Sequence, residues 1–176
     1  MKTKLTLLFI AAASFFVQAQ NTEACTEKLS LMSTSVKAKD VTAYDYLTTL
    51  RKDCPSFHKS IYTLGEFAVK LKIEKATTPQ DKEKYVRDLL KLYDEHDQYF
   101  PGNGAGNKMK KGLVLFENKV GTTDEVFQLL DVAFKTDYAN FKYAKAMYVY
   151  FEILVNNHKA NKGVELQQVF DKYDDI

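Results

Sequence analysis

Apolar residues recur every three or four positions along most of this chain, the spacing of one helical face, and no stretch shows the strict alternation of a half-buried strand. Cys25, Leu29, Met32 and Val36 share a face of a first helix from Thr22 to Val36. The segment Lys39 to Pro55 is the most complete. Asp40 is placed as an N-cap, Ala43, Leu47, Leu50 and Cys54 fall on one side, and Pro55 forbids continuation. A third helix is predicted over Phe57 to Ile73, with Ile61, Leu64, Ala68 and Leu71 aligned. Gly65 interrupts that pattern, at a cost of about 1 kcal/mol unless a neighbour crosses closely there, so it reads as a close-crossing site.

Thr78-Pro79-Gln80-Asp81 is a helix start, with Thr78 as N-cap, Pro79 in the first turn and Asp81 in the capping-box position. The helix runs to Tyr99 with Tyr85, Leu89, Leu92, Tyr93 and His96 inward, and Phe100-Pro101-Gly102-Asn103-Gly104 ends it. Next come a helix from Ala105 to Lys119 (Met109, Leu113, Phe116, Val120), a turn at Gly121, and a helix capped by Thr122-Thr123-Asp124-Glu125 (Val126, Leu129, Leu130, Ala133, Phe134). Tyr138 to Asn157 reads as one helix with two apolar stripes, Ala144, Met147, Tyr148, Phe151, Leu154, Val155 and Tyr143, Ala146, Tyr150, Ile153, which predicts neighbours on two sides. Gly163 opens a last helix carrying Leu166, Val169, Phe170 and Tyr173. The uncapped end at Asp174-Asp175-Ile176 reads as either a fraying terminus or the N-terminal part of a longer array.

The first 20 residues change this picture. Lys2 and Lys4, an apolar run from Leu5 to Val17, and Val17-Gln18-Ala19 match a cleaved signal peptide, and the run is too short for a membrane span. The domain division is therefore 1–20, signal peptide, and 21–176, helical-repeat domain, in a protein exported to the periplasm or outside the cell. Lys2 and Lys4 are two of 25 basic residues, and without them 23 basic face 23 acidic residues. That balance lacks the basic excess phosphate contacts need, so nucleic acid is not an expected partner.

Export also places the two cysteines in an oxidising compartment. Helices folding back near Lys39-Asp40 would bring Cys25 and Cys54, equidistant from that turn, to the open end of a hairpin, where a disulfide is expected. The alternative is two separately buried thiols.

In the second helix, Ala43, Leu47 and Pro55 stand at the offsets of the tetratricopeptide motif, although Leu50 departs from its usual small residue. Leu64-Gly65, flanked by Ile61 and Ala68, resembles the motif's Leu-Gly pair, and Glu125-Val126, Leu130 and Ala133 repeat the second-helix pattern without its proline. The chain thus resembles degenerate tetratricopeptide-repeat proteins exported by Gram-negative bacteria, with a repeat spacing of roughly 40 rather than 34 and an insertion near Ala76 to Lys82. The resemblance implies an all-α, right-handed α-α superhelix of about eight helices, the alternative being an irregular helical bundle. It implies a non-catalytic scaffold for a protein or peptide partner. Its groove-facing offsets, carried over from Ile61-Leu64-Gly65-Ala68 and from Ala144-Met147-Tyr148-Phe151, point to Tyr62, Glu66, Val69, Lys145, Val149 and Glu152.

No chemical constellation competes with that reading. His58, His96 and His158 lie far apart, and in Asp94-Glu95-His96-Asp97 adjacent side chains diverge by about 100° on a helix, so the segment reads as a solvated acidic patch with His96 at its edge. Gly102-Asn103-Gly104-Ala105-Gly106 lacks the strand and spacing of a phosphate loop and reads as a flexible inter-helix loop. No metal, cofactor or catalytic residue is expected. The second expectation for function is a helical small-ligand carrier or enzyme with a pocket between hairpins.

Overall fold

The computed structural model describes residues 22–102, 104 and 106–175, and the stretch read as a signal peptide lies outside the described residues. Among the described residues all regular structure is helical. The chain divides into two compact units at Ala76–Thr77.

The first unit holds α1 (22–37), α2 (Ala43–Asp53) and α3 (Ser60–Lys75). Lys39 takes a left-handed conformation (φ 53°) and ends α1: its N–H bonds to the Val36 carbonyl and that of Asp40 to the Ser35 carbonyl, satisfying two last-turn acceptors. Asp40 is not the N-cap of α2. Its carboxylate instead accepts the Thr42 N–H at 2.9 Å, because Val41 and Thr42 form a turn before the helix begins. Ala43, Leu47 and Leu50 are buried on α2 as the periodicity predicts, and α3 packs on it through Ile61, Tyr62, Gly65, Ala68 and Val69.

Cys25 and Cys54 are joined by a disulfide, their Cα atoms 6.1 Å apart. The bridge ties α1 to the residue that follows α2.

The second unit contains α4 (Pro79–Tyr99), α5 (Asn107–Asn118), α6 (Thr123–Thr136), a single turn α7 (Tyr138–Phe141), α8 (Ala144–Lys159) and α9 (Leu166–Asp175). Both threonine caps form as expected: Thr78 Oγ1 accepts the Asp81 N–H at 3.0 Å and Thr122 Oγ1 accepts that of Glu125 at 3.1 Å. The Asp81 carboxylate accepts from the Thr78 hydroxyl at 2.7 Å, a side-chain pair in place of the backbone N–H bond of a capping box. Helix α5 packs on α4 and α6, α6 on α8, and α8 on α9.

The helix predicted from Tyr138 to Asn157 is broken at Lys142 and Tyr143, where the backbone leaves the helical region. This break turns Phe141 inward. Its ring meets Phe134 edge-on at 5.4 Å and Tyr150 at 5.8 Å, and Tyr150 also stacks on Phe127 and Phe134. Phe141 is fully buried, whereas Tyr143, expected on a buried stripe, is 52% exposed. Helix α5 differs by a smaller rotation: Phe116 is exposed, while Gly112, Val114 and Leu115 are buried.

Candidate interaction surface

The sequence analysis gave α8 two packed sides, but the described residues cover one. Ala146, Tyr150 and Ile153 are buried on one stripe, whereas the other buries Leu154 but leaves Tyr148 65% exposed, with Met147 and Phe151 half-buried. Helix α9 runs alongside and buries only Val169 of its apolar face. Phe170 and Tyr173 are 55% and 67% exposed. Helices α8 and α9 frame an open depression of about 610 Å³ lined by Ala144, Met147, Tyr148, Phe151, Tyr173 and Asp174.

Two contacts hold α9 in place. The Lys172 ammonium sits 4.3 Å above the Phe134 ring, and Tyr173 tilts against Phe151 at 6.0 Å. On the other flank of α8, Lys145 donates to Glu117 at 2.5 Å, and that carboxylate pushes the Lys145 ammonium pKa up.

The six groove residues expected from the tetratricopeptide offsets fall in both units, Tyr62, Glu66 and Val69 in the first and Lys145, Val149 and Glu152 in the second. Tyr62, Val69 and Val149 are core residues, 2%, 0% and 1% exposed, and so do not form a solvent-facing wall. Tyr62 spends its hydroxyl on the Pro55 carbonyl at 3.0 Å. Glu66 pairs with Lys70 on its own helix at 2.6 Å, Lys145 is exposed and paired as above, and Glu152 is half-buried on α8.

His96 lies on the inward face of its helix, as the periodicity places it, and not at the edge of a solvated acidic patch. It is buried, with its Nδ1 3.4 Å from Asn107 Nδ2, and the same amide donates to Asp97 at 2.9 Å. Gly104 makes room for this polar knot: a Cβ there would lie 1.7 Å from Asp97 Oδ1 and 2.3 Å from Asn107 Nδ2. Close approach of two polar side chains is the structural need this glycine meets. His58 accepts the Ser60 N–H, and His158 donates to the Val164 carbonyl. Among the described residues no group of three His, Cys, Asp or Glu side chains could hold a metal ion. Nor is any described helix long and apolar enough to cross a membrane.

No family model matches the chain, and no curated protein or solved structure matches it. Besides Phe116, Tyr143 and Leu166, sequence reasoning placed in the core Tyr148, Phe170 and Tyr173, which are exposed, and Met147 and Phe151, which are half-buried. The signal for them lay in residue type: tyrosine stands at positions 148 and 173, where an enclosed core would favour an aliphatic chain without a hydroxyl.

Proposed function

We propose that the chain is an exported, non-catalytic scaffold of the cell envelope that binds a protein or peptide on tetratricopeptide-like helical hairpins. The observation that carries this reading is the apolar face of α8 and α9, since contiguous exposed aromatic surface of this kind marks interaction sites. Packing of each longer helix on its successor in the second unit is what a short superhelix requires, and an irregular helical bundle is the alternative arrangement. Export is supported by the signal-like residues 1–20 and by the Cys25–Cys54 bridge, which suits the periplasm or the exterior.

The second reading, a carrier or enzyme with an inter-hairpin pocket, draws on the depression among Phe127, Asp131, Lys135, Tyr150 and Gln168. There Asp131 already accepts from Tyr150 at 2.8 Å and from Lys135 at 2.6 Å, so its carboxylate is engaged within the protein. The scaffold reading is the better supported.

Affinity capture from an envelope fraction, with residues 21–176 as bait beside a Tyr148→Ser/Tyr173→Ser bait, tests it. The expected result is an envelope protein retained by the first bait and lost by the second. Equal retention by both would overturn the reading, as would no retention together with a melting temperature raised by a small molecule.

A further inference from the structure

The groove between α8 and α9 has a shape and a charge that together specify an occupant. Ala144, Met147, Tyr148 and Phe151 follow one another at i, i+3, i+4 and i+7, so the apolar strip runs along the helix axis for about 10 Å at 1.5 Å per residue. A strip of that direction and length matches the anchors of a helix laid into a groove. Ala144 lets a backbone come close, Met147 adapts its shape, and Tyr148 and Tyr173 form walls whose hydroxyls tolerate a wet rim.

The rim is acidic. Asp174 lines the groove on the α9 side, and Glu152, four residues after Tyr148, flanks the strip on α8. Among the described residues neither carboxylate forms an ion pair, whereas Lys145 on α8 is compensated by Glu117, and Lys172 on α9 is turned onto the Phe134 ring. A second copy docking face to face would set like-charged rims against each other, which disfavours self-association. A partner carrying lysine or arginine beside its apolar face would meet the opposite charge.

We propose that the α8–α9 groove takes a basic amphipathic helix of a partner protein, with its apolar side on Met147, Tyr148, Phe151 and Tyr173 and its cations against Glu152 and Asp174. This rests on the scaffold reading and adds the chemical class of the partner. The probes are two labelled amphipathic helices of about eighteen residues, one of leucine and lysine, the other of leucine and glutamate with the same apolar face.

Fluorescence anisotropy should show saturable binding of the lysine helix to the whole chain and none of the glutamate helix. Glu152→Gln/Asp174→Asn should weaken binding about tenfold, and Tyr148→Ser/Tyr173→Ser should abolish it while circular dichroism stays unchanged. All four positions are exposed or half-buried, so the variants are expected to fold. Equal binding of both helices, or an unchanged constant in the neutralised variant, overturns the basic class. A concentration-dependent dimer lost in the Tyr148→Ser variant would assign the groove to a second copy and overturn the proposal. If neither helix binds while envelope capture still depends on Tyr148 and Tyr173, this partner class fails and the scaffold reading stands; if capture fails too, both fall.

Discussion

Gly112 lies against Leu130 where α5 crosses α6, so closely that a Cβ on the glycine would sit 2.7 Å from both Cγ and Cδ2 of the leucine. Leu130 is fully buried and cannot swing into solvent to make room. Two effects oppose each other in Gly112→Ala. Helix propensity would stabilise by about 1 kcal/mol, whereas overpacking a filled contact costs about 1–3 kcal/mol. The steric term wins at this distance, and urea denaturation should show a net loss of about 1 kcal/mol. A more stable alanine variant would mean that the two helices are not held this closely.

Cys54→Ser should destabilise the chain. The bridge spans a sequence separation of 29 residues, for which chain entropy gives about 3–4 kcal/mol. Non-reducing mass spectrometry of exported protein should find no free thiol, and the serine variant should melt at a lower temperature than the oxidised parent. Two free thiols in most molecules would refute the pairing, and an unchanged melting temperature would refute its stabilising role.

Arg87 grips the Glu125 carboxylate with both terminal nitrogens, joining α4 to the first turn of α6. The hydrogen bond from Arg87 holds the Glu125 pKa below its ordinary value of 4.5, and the same bond raises that of Arg87. A depressed carboxyl pKa contributes stability that is present above the unfolded value and lost as pH falls through the folded one. Glu125→Gln should therefore reduce stability near neutral pH, with the gap from the parent closing in acid below about pH 4. Both side chains are more than a third exposed, so solvent screening keeps the difference at about 1 kcal/mol or less. Chemical denaturation of the two proteins across that range checks the sign, and a gap that widens in acid would contradict it.

Gly104→Ala should cost about 1–3 kcal/mol by forcing apart Asp97 and the buried Asn107 amide. The same change in an Asn107→Ala background should cost less, because one of the displaced atoms is gone. Additive losses would show that room for the Asn107 amide is not what Gly104 supplies.

Helix existence was legible wherever periodicity and capping chemistry agreed, as at Thr78-Pro79 and Thr122, because both are local properties of a few consecutive residues. The Cys25–Cys54 neighbourhood was legible for a related reason: a short hairpin converts sequence distance from a turn into spatial proximity. The break at Lys142-Tyr143 was not, since the helical spacing continues through it and only the aromatic cluster around Phe141 requires the chain to turn. The α8–α9 surface was misread for the complementary reason. Periodicity shows that Met147, Tyr148 and Phe151 share a face but cannot show what covers it. The offsets at Tyr62, Val69 and Val149 likewise name helix positions, and burial of those positions is decided by the neighbours they meet.

The bridge at the base of the α1–α2 hairpin has a further consequence for what happens when the backbone is severed. Lys39 and Val41 lie exposed in the turn, inside the ring that Cys25 and Cys54 close. A protease cutting there would open the ring without releasing either piece, leaving a two-chain molecule heavier by one water and held together by sulfur. Such a nick would be invisible on a non-reducing gel and would yield two fragments only after reduction. As long as it stays oxidised, the bridge keeps a cut chain in one piece.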